Sequence, residues 1–124
     1  MMPLDKPILF LATMDAARSR AFYERVLGLT CVADEPYALV FQVGGSMLRI
    51  QKVDRVPKVP YTVLGWAVRD VPSTVTALSK AGVAFRRYDG LDQDADGVWH
   101  SPSGALVAWF EDPDGNTLSL TQFK

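Results

Sequence analysis

The chain has 124 residues, 48% of them hydrophobic, enough for one domain with a core of its own. With 13 basic and 14 acidic side chains the formal charge is −1, and no basic stripe is present to neutralise phosphates, which argues against nucleic acid as a partner. No apolar run approaches the 20 or so residues of a membrane span.

Residues 7–13 (PILFLAT) are apolar and bounded by Pro and Asp, so a strand is predicted there. Asp15 then caps a helix that carries Ala17, Ala21, Phe22, Val26 and Leu27 at helical spacing and stops at Gly28. Three strands follow, at 29–34, 37–43 and 46–53, the last two joined by a Gly44–Gly45 hairpin. Cys31, the only cysteine, lies in the first of these runs and reads as a core residue rather than a catalytic thiol. It has no internal disulfide partner. Together with the absence of a basic leader before residues 8–12, it leads us to expect a cytoplasmic protein.

After a Pro-rich connector (54–60, DRVPKVP) the order recurs. A strand is predicted at 62–68, and a helix opens on Asp70 with Val71, Val75, Leu78 and Ala81 on one side and stops at Gly82. Further strands are predicted at 83–88 (VAFRRY), 104–110 (GALVAWF) and 116–123 (NTLSLTQF). Asp70 repeats Asp15 at a shift of 55, and the segment from Gly115 to Leu120 repeats that from Gly45 to Ile50 at a shift of 70. The chain is therefore expected to be α+β, a β-α-β-β-β unit written twice, with module one at about 5–53 and module two at about 61–124. The irregular stretch 89–104 (DGLDQDADGVWHSPSG) accounts for most of the difference between the two shifts.

FYERVLGL in the first half and FEDPDGNTLSL in the second resemble the vicinal oxygen chelate superfamily of glyoxalases, bleomycin resistance proteins and extradiol dioxygenases. The resemblance covers essentially the whole chain. It implies half-open, curved mixed sheets with helices on the convex side and a cavity on the concave side. It also implies a homodimer. Alternation along the last strand would send Leu118 and Leu120 to the helix and Thr117, Ser119 and Thr121 to the cavity.

In metal-dependent members of that superfamily four inward positions carry ligands, usually His and Glu. Here those positions hold Ile8 and Val63, seven residues before each capping aspartate, and Arg49 and Ser119, four after each hairpin glycine. Aliphatic chains offer no lone pairs, a guanidinium repels a cation, and one hydroxyl is a feeble ligand. The resemblance therefore points to a member with no metal and no cofactor.

Arg49 would then put a fixed positive charge where relatives hold an ion, ready for a carboxylate, unless it is paired internally. Alternation puts Phe10, Gln51 and Trp109 on the same faces as the four positions, with core packing as the other role for Phe10 and Trp109. Trp99 and His100 stand in the long irregular stretch, which is suited to a lid or binding loop, and His100 is either a general base or a plain polar contact. Asp92, Asp94, Asp96 and Gly97 match the opening of a calcium loop. Ser103 stands where the closing Glu belongs, so a solvated acidic loop is expected. Glu111 is a candidate acid or base, or a surface carboxylate.

The expected function is metal-free binding of a small apolar molecule bearing an anionic or polar group, with no nucleic-acid or membrane partner. The ligand-binding residues would be Ile8, Phe10, Arg49, Gln51, Val63, Trp99, His100, Trp109 and Ser119. The alternative is a glyoxalase-like lyase or isomerase, or a dioxygenase, working through His100, Glu111 or Arg49.

Overall fold

The computed structural model describes residues 2–124. Two compact units divide between Pro57 and Lys58. In the first, β1 (Ile8–Thr13) leads to α1 (Ala16–Ala21), which continues as a π-helical segment, Phe22–Val26, before β2 (Thr30–Asp34), β3 (Ala38–Val43) and β4 (Ser46–Lys52). The sheet order is β1-β4-β3-β2, with β1 parallel to β4 and the other pairs antiparallel. The second unit repeats the plan with β5 (Leu64–Ala67), α2 (Val71–Lys80), β6 (Trp99–His100), β7 (Leu106–Glu111) and β8 (Thr117–Gln122), in the order β5-β8-β7-β6. The architecture is α+β, two βαβββ modules with mixed, open sheets.

Local chemistry accounts for the element ends. Asp15 Oδ1 accepts from Arg18 N at 3.1 Å and Asp70 Oδ1 from Ser73 N at 3.0 Å, so both aspartates satisfy a free N–H at a helix start. Gly44 and Gly45 turn the β3–β4 hairpin with φ of 52° and 86°, a conformation glycine adopts without steric cost.

One face of each sheet is sealed by its helix. Leu39, Phe41, Leu48 and Ile50 are fully buried in the first unit, where the Tyr23 ring meets Phe41 with centroids 5.8 Å apart. In the second, Val71 and Val75 of α2 are buried, as are Ala108, Phe110, Leu118 and Leu120 of β7 and β8. The inward side of α1 differs from its apolar spacing. Ser19 and Tyr23 are the buried residues, while Ala17 is exposed and Phe22 and Val26 are half-buried. Ser19 and Tyr23, four residues apart, share the buried side, and from Phe22 onward the π-helical turn holds more residues, which shifts the later apolar positions from where a regular helix would present them. Ala81, expected on the apolar side of α2, lies past the helix end and is exposed.

A further correction concerns residues 83–88, which form no strand. Phe85 makes an isolated bridge to Phe110, and Arg86 N donates to Trp109 O at 2.8 Å. Beyond that point the side chain of Gln93 replaces a neighbouring strand. Its Oε1 accepts from Tyr88 N at 2.7 Å, and its Nε2 donates to Arg86 O at 2.9 Å and Gly97 O at 2.8 Å. The remaining edge of β7 pairs with Trp99 and His100, which are strand residues within the stretch read as irregular.

The β7–β8 corner is organised by Asp112, which is only 5% exposed. Its Oδ1 accepts from Asp114 N at 2.9 Å and Asn116 N at 3.0 Å, and its Oδ2 from Asn116 Nδ2 at 2.8 Å. Gly115 closes the turn at φ 86°. Replacing Asp112 with Ala strands these donors, so Asp112→Ala is expected to cost about 3 kcal/mol and lower Tm by roughly 10 °C, read by thermal or urea unfolding. The opposite sign is expected at Ser19, whose buried Oγ has no hydrogen-bond partner among the described residues. Ser19→Ala removes that burden and favours the helix, so calorimetry should show a gain of about 1 kcal/mol or less and no loss.

Candidate functional site

Alternation along β7 and β8 turns Trp109, Glu111 and Thr117 away from α2, because Phe110 and Leu118 are committed to the core. These three line a cavity of about 460 Å³ in the second unit, within the usual range for small-molecule sites. Tyr61, from the segment before β5, and Tyr88 complete an aromatic wall. The Tyr88 and Trp109 rings meet edge to face with centroids 5.4 Å apart, and Trp99 lies against Trp109 at 6.2 Å.

Charge enters through three side chains. Glu111 Oε2 is 2.8 Å from Arg86 Nη1 and 3.5 Å from Lys58 Nζ. The Arg86 guanidinium also stands 5.8 Å from the centre of the Tyr88 ring, within cation–π range. The end of the Lys58 side chain passes close to Gly115, where a Cβ would come within 2.9 Å of Lys58 Cε.

Of the residues expected at the site, Trp109 lines this cavity and Trp99 supports it through ring contact. Ser119 lies on the same face of β8 as Thr117, opposite Gly65, and is nearly buried; its hydroxyl occupies the space a Cβ at Gly65 would take. Val63, just before β5, donates its N–H to Thr117 O at 2.9 Å. Ile8, Phe10, Arg49 and Gln51 belong to the first unit, on the sheet face opposite the buried Leu48 and Ile50. The register sets Ile8 beside Met47, Phe10 beside Arg49 and Ala12 beside Gln51. Ile8 and Phe10 are 50% and 53% exposed. Arg49 has an internal partner, Glu35 Oε1, at 2.6 Å.

The residues missed are Lys58, Tyr61, Arg86 and Tyr88, with Gln93 holding the last two in place. VAFRRY shows no apolar–polar alternation, so nothing in it marked Arg86 and Tyr88 as one side of an extended segment. For Lys58, in the Pro-rich connector, and Tyr61, just after it, no periodic signal exists.

The donor set does not fit a metal. Ile8 and Val63 have no lone pairs, Arg49 is cationic and already paired, and Ser119 offers one hydroxyl. Among the described residues no group of three or more His, Cys, Asp or Glu is placed to hold an ion.

The aspartates that resemble a calcium loop build a tight turn instead. Asp94 Oδ1 accepts from Asp96 N at 2.9 Å and Val98 N at 3.0 Å, and Oδ2 lies 3.2 Å from His100 Nε2. Burial works against ionisation of Asp94. The Val98 N–H, the His100 side chain and the Asp96 N–H outweigh it and hold the carboxyl below its ordinary value of 3.8. A depressed carboxyl stabilises the turn above its unfolded pKa and loses that contribution as pH falls through the folded one. Lowering pH from about 6 to about 3 should therefore weaken the amide protection of Asp96 and Val98 by NMR, and Asp94→Asn should flatten that acid dependence.

The family model for the Glyoxalase/Bleomycin resistance protein/Dioxygenase superfamily matches residues 7–120. No curated protein gives a significant sequence match. Among solved structures, the chain is similar to a lactoylglutathione lyase from Agrobacterium tumefaciens, at 19% identity and TM-score 0.74, covering 98% of this chain and 96% of that one. It is similar to a fosfomycin resistance protein from Listeria monocytogenes at 14% identity and TM-score 0.76, covering 99% and 96%. It is also similar to a bleomycin-binding protein complexed with bleomycin at 22% identity and TM-score 0.74, covering 98% and 100%. At these identities the likeness speaks for the fold alone.

Proposed function

The chain belongs to the glyoxalase/bleomycin resistance/dioxygenase superfamily, and on that premise we propose that it is a small-molecule binding protein that works without a metal ion. The observation that carries this reading is the cavity of the second unit, with an aromatic wall at Tyr61, Tyr88 and Trp109 and charge at its edge. Such a surface suits a compound that is mainly apolar with one anionic or polar group. One structural neighbour is a bleomycin-binding protein complexed with its ligand, which gives precedent for capture on this fold. The four positions where relatives carry metal ligands lack the chemistry to hold an ion. Glu111, drawn toward two cations, is poorly placed to act as a free base, and His100 is engaged with Asp94.

A homodimer is part of the same reading. Ile8, Phe10 and Met47 share a strand-pair face of the first unit and remain substantially exposed, and a second copy would give them cover. A lone cysteine fits a reducing, cytoplasmic setting.

A thermal-shift screen of small aromatic and carboxylate compounds tests the proposal. Compounds that stabilise the wild type should bind Trp109→Ala at least about tenfold more weakly by calorimetry, since the indole is the largest ring of the wall. A screen without hits, or hits indifferent to Trp109→Ala, sinks the reading, and stoichiometric transition metal in purified protein contradicts its metal-free part.

A further inference from the structure

The charged side chains of the cavity are two cations gathered on one carboxylate. Arg86 and Lys58 both approach a single oxygen, Glu111 Oε2, at 2.8 Å and 3.5 Å. Two cations against one carboxylate leave an excess of +1 beside the aromatic wall. A guanidinium carries five N–H donors in a planar fork, and here Nη1 is the nitrogen that approaches Glu111, so the others retain capacity for a second planar acceptor. One face of that fork is turned to the Tyr88 ring, which is itself packed against Trp109, so the charge sits directly beside flat aromatic surface.

Resting on the small-molecule reading above, we propose that the ligand is a compact aromatic carboxylate. Its ring lies along Trp109 and Tyr88, and its carboxylate is shared by Arg86 and Lys58. Glu111 is the internal competitor that sets affinity and charge selectivity. A neutral ligand of the same shape gains the rings but not the charge, and a cationic one meets two like charges. Glu111 also has a cost for the correct ligand, because its carboxylate competes for the same cations. Removing that charge while keeping its shape therefore strengthens anion binding, whereas a carboxylate that served only to hold the cavity together would give the reverse.

Benzoate and benzamide, nearly isosteric and differing in charge, serve as probes, with binding read by tryptophan fluorescence and calorimetry. Wild type is expected to prefer benzoate. Glu111→Gln should tighten benzoate about tenfold and leave benzamide unchanged, and Arg86→Met should abolish the preference. Lys58→Met, at an exposed position where folding is not at risk, should weaken benzoate several-fold. Melting temperatures of the variants separate loss of fold from loss of site.

Equal binding of the two probes, or weaker benzoate binding in a folded Glu111→Gln, overturns the ligand class while leaving a small-molecule pocket in place. Binding of neither probe, when other compounds still stabilise the wild type, overturns only this inference. Binding of neither probe together with an empty screen removes the small-molecule reading as well.

Discussion

A buried carboxylate at one corner holds the second unit in register. Asp112 gathers two backbone N–H groups and the Asn116 amide at the turn between β7 and β8, and so fixes where one strand stops and the next begins. From that point Glu111 faces Thr117, Phe110 faces Leu118 and Trp109 faces Ser119. A slip of one residue would turn β7 over against β8, sending Phe110 to water and burying Trp109 under the helix while Leu118 stayed in the core, because a strand's faces alternate strictly. The core beneath α2 and the aromatic wall opposite it are thus two results of the same register. The turn also meets Lys58, the end of whose side chain passes close to Gly115.

The two units solve one problem differently. At position 49 a cation is met by Glu35 and becomes half of an ion pair on a partly exposed sheet face, where such pairs contribute modestly to stability. At position 119 a small hydroxyl tucks over Gly65 and is nearly buried. Position 49 is thus closed by a salt bridge and position 119 by close packing. The polar chemistry of the second unit lies beyond the same face, where Arg86 and Lys58 meet Glu111 of β7.

Much of the fold was legible because its signals are local and repeated. Both helix-capping aspartates, the double glycine of the β3–β4 hairpin and the Asp-Pro-Asp-Gly corner each act on neighbours within a few residues, and the recurrence of the whole pattern confirmed them. Legibility ended where a side chain took over a backbone's role. Nothing in VAFRRY distinguishes a strand from an extended segment, since what decides the matter is the amide of Gln93, reaching back from a different loop. Trp99 and His100 were hidden for another reason, as two residues of strand inside a run of turn-formers. The wall residue Trp109 followed from alternation next to a recognisable corner. Arg86 and Lys58 did not, because their meeting at Glu111 joins three separate segments.

The Gln93 amide joins a surface hairpin to the edge of the cavity. Its Oε1 and Nε2 hold the backbone at Tyr88 and Arg86, while Gln93 itself pairs with Trp99 across a turn made of Asp94, Ala95, Asp96 and Gly97. Altering the length or stiffness of that tip would re-aim the guanidinium at the edge of the sheet, through β6, while leaving β5, β7 and β8 in register. A lineage under pressure to accept new compounds would have a path to do so through residues that never touch them.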